Sequence, residues 1–529
     1  LAEGWVEELR KTIPELPAEK VARLAEQYGI PKYDAGILAS ARGLADFFEA
    51  GAALFPGSPK TTANECIHWK DAILSGKLSP ETIAHAVEDR ETGAIAAVRR
   101  DGDGGLALFV VFAERVGLAT KLAEVLPFPV TSPNATPPAH ILLAFFAGVL
   151  AGARRFAQLA LLRVDEPIRH LFGLRRYPST ATFTRFFRRF TAPAVTQTFE
   201  ALFVWCLARL PERAAGYTLD LDSSVFERYG TQEGVLKGYN PRKRGRPSHH
   251  PLFAVLAEAR CIAHVWLRSG NTGSARGATA FLAEVRALLP AAIRLTLVRA
   301  DSGFFEEAIL CALEALRLPY IIAARFTNPL QAAVYRLPFQ PFAPGLEVGE
   351  LVYQAHRWTR ARRLIVVREE LARRPTARGR ELFHAPGYRF HAVVTTLAAA
   401  PVDVWRTYNG RADTENRLRE LKHAFGADGF CSRRFWATEA ALRSICVLYN
   451  LLEEFQLALA APGRRTLATL RTTVFTCGAI LGSAGRQAVL RLSRPVPWQQ
   501  RFLAQLQRLV TWVPNCNAVG DPALDGDLP

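Results

Sequence analysis

The 529-residue sequence lacks several features that would assign a protein to a simple class. Its eight cysteines include no C-x-x-C pair, which argues against a zinc site and against a disulfide framework. Its longest apolar stretch, residues 141–153, is shorter than the ~20 residues that a membrane-crossing helix needs. No basic stretch followed by an apolar core begins the chain. We therefore expect a cytoplasmic protein with no membrane partner.

Positive charge is abundant overall but has no excess in the first hundred residues. Residues 1–100 hold 12 Lys and Arg against 15 Asp and Glu, whereas the whole chain carries a net charge of +17. The remaining residues therefore carry a net +20. An excess of this size predicts a polyanionic partner, because each phosphate that a Lys or Arg neutralises releases counterions. Nucleic acid is the first candidate.

Residues 1–97 read as short helices with clear end signals, followed by a polar, glycine-rich stretch. This segment resembles part of the C-terminal tail region of the B subunit of tRNA-dependent Asp/Glu amidotransferases. The active site of that family lies outside the matched part, so the resemblance implies no activity here. The residues that carry it are Trp5 to Arg10, Tyr33 to Ala35, Leu44 to Glu49, Ala63-Asn64 and Leu78 to Glu81.

Residues 98–210 show helical patterns and are predicted to bind DNA ends. Apolar periodicity predicts helices over 138–153, 156–174 and 180–190, the last of which carries Arg185 and Arg188 beside phenylalanines. A short basic helix could read a DNA groove. It could equally be an amphipathic helix with a solvated basic face.

From Tyr217 the pattern changes to alternating strands and helices. Residues 217–222 alternate as a strand, which places Asp220 and Asp222 on one face. Two further strands, a helix, a buried strand that ends before Asp301, another helix and another strand follow. This order predicts an α/β fold with an RNase H-like core over 211–330 and 399–460, in which acids at strand ends meet an acid on a later helix.

Residues 404–422 read as one helix with an unusual charged face. Tyr408, Arg411, Glu415 and Lys422 are three, four and seven residues apart, which aligns them along that face. A solvated face with i,i+4 ion pairs would explain most such runs. This run matches Y-x2-R-x3-E-x6-K without a mismatch, and residues 105–529 resemble insertion-sequence transposases of the DDE class.

That resemblance implies a metal-dependent phosphoryl-transfer enzyme. It assigns Asp222, Asp301 and Glu415 as catalytic metal ligands, with Asp220 as the alternative to Asp222. The implied cofactor is Mg²⁺ or Mn²⁺, as two ions that activate the attacking oxygen and stabilise the leaving oxygen. The implied reaction is cut-and-paste transposition of an insertion sequence. The partners would be double-stranded DNA, both inverted-repeat ends and target, and a second copy of the chain.

Further DNA contacts are predicted outside this acid set. A β-rich insertion over 331–398 carries Trp358, which could stack on an unpaired base or be an ordinary rim aromatic. The loop 237–246 holds five cations, for which phosphate contact is favoured over a solvated turn. A helical region over 461–529 completes the chain. The predicted DNA-contacting residues are Tyr408, Arg411, Lys422, Lys237, Arg242, Lys243, Arg244, Arg246 and Trp358.

Two other functions remain open from the sequence. One is a transposase-derived DNA-binding protein that has lost its chemistry, and the other is a tRNA-contacting amidotransferase fragment. Intact Asp222, Asp301 and Glu415 favour the enzyme. The acidic balance of residues 1–97 weighs against independent tRNA binding.

Overall fold

The structure is a computed structural model that contains two compact units. One unit comprises Leu1–Gly102 with Cys477–Ser493, and the other comprises Asp103–Thr476 with Arg494–Pro529. The described residues are 15–54, 59–68, 70–74, 96–99, 104–130, 132–240, 243–371, 380–381, 387–460, 463–484, 487–493 and 496–515. None of the helices in these ranges combines the length and apolarity that crossing a bilayer requires.

The first unit contains short helices and a small sheet. Leu24, Leu38, Leu44 and Phe48 are fully buried and form the centre of its helical core. The sheet pairs Ala96–Arg99 with Gly478–Ala484, which pairs in turn with Gln487–Ser493, all antiparallel. The described helices of this unit are Pro17–Tyr28, Lys32–Ala39, Arg42–Leu54, Pro59–His68 and Lys70–Leu74.

The two strands at 478–493 correct the expectation of a wholly helical C-terminal region. Residues 489–492 read Val-Leu-Arg-Leu, and alternation of this kind is typical of a strand rather than a helix. The segment 461–529 is helical only in part, with helices Leu467–Leu470 and Val496–Thr511 and a π-helical turn at Arg471–Phe475.

The second unit begins with a helical region packed around aromatic side chains. Phe145 lies edge-on to Phe187 and to Phe430, with ring centroids 5.1 and 4.8 Å away. The single helix expected over 156–174 is instead a 3-10 helix, Phe156–Val164, followed by a short α-helix. Asp165 ends the first and caps the second through the amide of Ile168. The α-helices here are Ala107–Arg115, Leu118–Val125, Pro138–Leu150, Glu166–Leu171, Thr180–Arg188 and Ala192–Leu207.

A ten-stranded mixed sheet follows. Its strands, in chain order, are β1 (Tyr217–Ser223), β2 (Leu252–Leu256), β3 (Cys261–Trp266), β4 (Leu295–Ala300), β5 (Tyr320–Ala323), β6 (Gln340–Ala343), β7 (Leu346–Tyr353), β8 (Arg362–Glu370), β9 (Arg380–Glu381) and β10 (Tyr388–Thr395).

The spatial order of the sheet is β6-β7-β8-β10-β5-β4-β1-β2-β3, with β9 paired to β10. The strands β1, β4 and β5 are parallel to their neighbours in that group, whereas β2 and β3 are antiparallel hairpin partners. The strands from the expected insertion continue this sheet beyond β5 rather than forming a separate layer. Both faces of the sheet are buried. Side chains alternate between the two faces, so Phe253 and Val255 join one core, and Leu252 and Ala254 join the other.

Residues 404–422 form parts of two helices, not the single helix that the spacing predicts. The first is Pro401–Asn409 and the second, here called the Glu415 helix, is Ala412–His423. The break falls at Gly410, where an added Cβ would lie 2.7 Å from Nη1 of Arg299. Close approach of a buried guanidinium therefore explains why glycine stands there.

The remaining helices cover and extend the sheet. Phe435–Ala458 is nearly all buried and packs against Ala192–Leu207 and β3. A small sheet of Phe226–Glu227, Leu236–Lys237 and Pro247–His249 lies between β1 and β2 in sequence. The other helices are Ala278–Leu288, Glu307–Ala315 and Asn328–Tyr335.

Candidate active site

Two acids stand where neighbouring parallel strands end. Asp222 is the penultimate residue of β1, and Asp301 directly follows β4. Because β1 and β4 are parallel and adjacent, their carboxyl ends meet at one edge of the sheet. Asp301 accepts a hydrogen bond from the amide of Gly303 at 2.8 Å, and Asp222 accepts one from the amide of Ser223 at 2.8 Å. Both carboxylates are thereby oriented by the backbone.

The Glu415 helix brings a third acid to the same edge, and Arg411, which directly precedes this helix, brings a cation. Nη2 of Arg411 lies 3.0 Å from Oδ1 of Asp222, and its Nη1 lies 3.4 Å from Oε1 of Glu415. The Arg411 side chain is 6% exposed and the Glu415 side chain 45% exposed. The guanidinium therefore lies between two of the three predicted acids, and the third, Asp301, lines the same cleft.

Burial controls the electrostatics of these groups. It raises the pKa of Asp222 to about 7, with nearby Asp301 and Glu415 acting in the same direction and Arg411 opposing them. The pKa of Arg411 is raised because Asp222 and its other acidic neighbours outweigh the effect of burial. The edge is thus a site where negative charge is costly unless a cation is present.

Asp220 lies elsewhere, although it shares a strand face with Asp222. It is 0% exposed and both of its oxygens face Arg299, at 2.7 and 2.8 Å from Nε and Nη2. Asp222 lines the cleft and Asp220 does not. The choice of Asp222 over Asp220 as first ligand stays a prediction that this placement favours.

One open cleft contains all three acids and a larger number of cations. Its walls come from β1, the small sheet, the Glu415 helix and the segment before the Phe156 3-10 helix. The charged residues that line it are Arg154, Arg155, Asp222, Glu227, Arg228, Lys243, Asp301, Arg411, Glu415, Arg419, Lys422 and Asp428. A concave, cationic surface around carboxylates suits a phosphate-bearing ligand.

The predicted phosphate-binding residues are divided between this cleft and its surroundings. Lys422 lines the cleft, donates to the carbonyl of Val225 at 2.9 Å and lies 5.4 Å from the ring centroid of Phe226. Lys243 also lines it and pairs with Glu227 at 2.9 Å. Lys237, Arg244 and Arg246 are exposed and are not among the residues that line the cleft. Arg242 lies outside the described residues.

Two aromatic residues predicted to contact DNA pack against other aromatic rings of the protein. Trp358 is 8% exposed, and the centroid of its ring lies 5.3 Å from that of Phe305 and 5.9 Å from that of Tyr353. Tyr408 is half-buried and stacks on Trp405 at 6.1 Å. Neither ring is among the residues that line the cleft. We therefore leave Trp358 out of the candidate site, because a stacking platform needs an open ring face.

The cleft acids are candidate ligands for a divalent cation. Across the described ranges, no three Asp, Glu, His or Cys side chains are arranged in this structure as a ready-made metal site. The three cleft acids nevertheless have the right donor chemistry, because hard cations such as Mg²⁺ prefer carboxylate oxygens. Arg411 lies beside two of them in this conformation.

The cleft also contains residues that sequence reasoning missed. Arg228 is 3% exposed, donates to Nδ1 of His249 at 3.1 Å and leaves Nη2 without a partner among the described residues. Ser223 and Ser274 share a hydrogen bond of 2.8 Å beside the acids. Arg228 lies within the range 105–529 that resembles the DDE transposases, but no spacing in the sequence marks it. The other ring nitrogen of His249 faces the carbonyl of Glu233, so this histidine has no nitrogen left for a metal.

A family model described as transposase DDE domain, group 1, matches residues 99–513. This match covers most of the chain. The chain belongs to the group 1 DDE transposases. The family assignment confirms the coarser part of the sequence-based prediction, a transposase with a DDE domain.

Other similarities cover less or are weaker. The B subunit of Asp/Glu-tRNA amidotransferase from Clostridium botulinum is 36% identical over 108 residues, covering 18% of this chain and 22% of that protein. The Hahella chejuensis subunit is 48% identical over 81 residues, covering 15% and 16%. The matched part of this chain therefore spans about a fifth of the length of these relatives. A piggyBac transposase synaptic complex with hairpin DNA has a TM-score of 0.40 and 11% identity, covering 70% of this chain and 78% of that chain.

Proposed function

We propose that this protein cleaves DNA at the inverted-repeat ends of an insertion sequence and transfers the strands to a target by cut-and-paste transposition. The observation that carries the proposal is the convergence of Asp222, Asp301 and Glu415 on one cationic cleft, in a chain of the DDE family. Such a reaction takes place on chromosomal or plasmid DNA, so we place the protein in the bacterial cytoplasm. We further propose a homodimer, in which each copy holds one transposon end.

Strand order supports an RNase H-like catalytic core. The segment β3-β2-β1-β4-β5 has a central β1 that pairs antiparallel with β2 and parallel with β4. In this arrangement the ends of β1 and β4 present acids to one edge, and a later helix adds the third. The Glu415 helix occupies that later position in the chain.

Asp222, Asp301 and Glu415 would hold divalent metal, Mg²⁺ or Mn²⁺. When bound, such ions activate an attacking oxygen and stabilise a leaving oxygen in phosphoryl transfer. Arg411 holds the carboxylates of Asp222 and Glu415 near each other, and the protein surface supplies Lys422 and Lys243 to grip phosphates. Backbone contacts of this kind position DNA without reading its sequence.

The test is excision of a marked element from a plasmid in a bacterial host, with the protein supplied in trans. The element is cloned with its own flanking DNA, so that both natural ends are present. Excision products should form with the natural sequence and be absent with Asp301→Asn. Equal excision by both proteins, or none by either with both stably expressed, would contradict the proposal.

A second candidate, a DNA-binding protein without cleavage activity, is favoured by one observation. Arg411 lies between Asp222 and Glu415, and the described residues contain no three-ligand group. The two candidates differ in one outcome, since the second predicts that natural protein and Asp301→Asn protect the same DNA and neither cuts it.

A further inference from the structure

A buried ion pair lies one layer below the cleft acids. Asp220 of β1 and Arg299 of β4 are direct partners in the parallel register. Two hydrogen bonds join them, Nε to Oδ1 at 2.7 Å and Nη2 to Oδ2 at 2.8 Å. Both side chains are under 10% exposed. A bidentate pair of this kind fixes two strands with more geometric specificity than a single hydrogen bond.

The same pair contacts both helices that flank Gly410. Thr414, on the Glu415 helix, donates its hydroxyl to Oδ2 of Asp220 at 2.6 Å. On the other side of the break, Nη1 of Arg299 donates to the carbonyl of Thr407 at 2.6 Å. The ion pair therefore connects β1, β4 and both helices through side chains that exclude water.

Each of these connections lies beside a cleft residue. Asp222 stands two residues beyond Asp220 on the same face of β1, and Asp301 stands two residues beyond Arg299, just past the end of β4. Glu415 directly follows Thr414 in the helix. Only one or two residues of backbone therefore separate the buried pair and Thr414 from the three acids.

We propose that Asp220, Arg299 and Thr414 form a clamp that positions the Glu415 carboxylate and the Arg411 guanidinium relative to Asp222 and Asp301. This proposal rests on the proposed transposase function. The three are positioning residues, which act through their neighbours. Phosphoryl transfer depends on placement to within a fraction of an ångström, so a clamp that holds all three acid-bearing segments controls the rate.

A matched ion pair distinguishes positioning from general stability. Arg209 binds Glu454 through Nε and Nη2, at 2.8 and 2.7 Å from the two oxygens, and the pair is mostly buried. It lies in the same unit and joins the turn after helix Ala192–Leu207 to helix Phe435–Ala458, and neither residue lines the cleft. Glu454→Gln therefore removes a comparable ion pair without touching the clamp.

The experiment compares Asp220→Asn, Glu454→Gln, Thr414→Val and Thr414→Ser with the natural sequence. Thermal unfolding, amide hydrogen exchange of residues 401–423 and cleavage at saturating DNA are measured for each. Both ion-pair variants should unfold at lower temperature. Asp220→Asn and Thr414→Val should raise exchange in 401–423 and lower cleavage about 100-fold, the scale of a 1 Å misplacement, with DNA affinity kept. Thr414→Ser retains the hydroxyl and should behave as the natural protein.

Two outcomes would overturn the clamp. One is that Thr414→Val shows the same hydrogen exchange in 401–423 and the same cleavage as the natural protein. This substitution is nearly isosteric, so the proposal can still be tested if Asp220→Asn does not fold. The other is an equal loss of cleavage in Glu454→Gln at matched loss of stability. If the natural protein does not cleave DNA, the proposed function fails, and exchange in 401–423 still decides whether the clamp holds the helix.

Discussion

The clamp and the acids above it use the same three segments but differ in how their charges are satisfied. In the clamp, both oxygens of Asp220 and all three nitrogens of Arg299 have partners, and water is excluded. One layer out, Glu415 is partly exposed and Nε of Arg411 has no partner among the described residues. The charged atoms of the clamp are therefore all paired, whereas Arg411 in the layer of the cleft acids has a donor left for a ligand.

The difference separates structural from functional charge within a single strand face. A fully satisfied buried network specifies one arrangement of its surroundings, because any displacement leaves a charge unpaired. A partly satisfied network costs stability and is retained where a ligand completes it. Two aspartates two residues apart can therefore have opposite roles, and burial and partners distinguish them.

The largest effect is expected from Glu415→Gln, which leaves the clamp intact and removes one acid of the outer layer. Because we propose that Glu415 holds a metal ion, its replacement should remove several kcal/mol of transition-state stabilisation, and we expect cleavage to fall by about 10³-fold or more. DNA affinity should be nearly unchanged, because the cations remain. Cleavage with Mg²⁺ or Mn²⁺ and a gel-shift titration measure the two properties, and equal loss of both would show a structural role.

A smaller effect, a pH-dependent gain in the free energy of unfolding, is expected from Asp222→Asn. The pKa of Asp222 is raised to about 7 when folded, against ~3.9 unfolded, so its stabilising contribution is complete below pH 4 and is lost as pH rises to 7. The variant has no such loss. It should gain up to about 4 kcal/mol of unfolding free energy above pH 7 and nothing near pH 4.

Urea unfolding of both proteins at several pH values between 4 and 8 measures this difference. Glu439→Gln provides a control outside the cleft. Burial also raises the pKa of the Glu439 carboxyl, but Arg443 forms an ion pair with it, with Nη2 and Oε1 2.6 Å apart. A stability gain for Asp222→Asn that is constant with pH would show that ionisation of Asp222 is not its cause.

The sequence predicted the site better than its supporting layer. Alternation located β1, a buried run located β4, and the spacing of the signature identified Arg411 and Glu415 as neighbours, which the 3.4 Å contact bears out. Local periodicity carries this information because it depends only on residues in one element. That Asp222 and not Asp220 lines the cleft could not be read from local sequence, because Asp220 is occupied by Arg299, which lies 79 residues later in the chain.

Other expectations failed where tertiary contacts decide local structure. The helix expected over 404–422 is interrupted at Gly410, where Arg299 of a distant strand comes close and donates to the carbonyl of Thr407. Trp358 has basic neighbours in sequence, which suggested a surface ring, but Phe305 and Tyr353 cover it from other elements. Neither partner could be inferred from a window of sequence around the residue.

A modest effect is expected from Lys422→Ala, which tests whether the cleft binds phosphate at the far end of the Glu415 helix. Its ammonium already donates to a carbonyl, but an ammonium has three donors and can also reach a phosphate. Loss of one phosphate contact should lower the salt dependence of binding by about one unit, for cognate and random DNA alike. Fluorescence anisotropy at several salt concentrations measures the slope, and loss confined to the cognate end would refute a backbone contact.

The smallest effect is expected from Lys243→Ala, at the outer wall of the cleft. Lys243 is about half exposed, and solvent screens its pair with Glu227, so the melting temperature should not change measurably. Any effect on DNA must then come from a phosphate contact, which again predicts a salt slope lower by about one unit. Lys121→Ala is the matched control, because Lys121 forms a similar partly exposed pair with Glu124 and does not line the cleft. Equal slopes for the two variants would restrict the phosphate-binding surface to the inner cleft and return the loop 237–246 to an ordinary solvated turn.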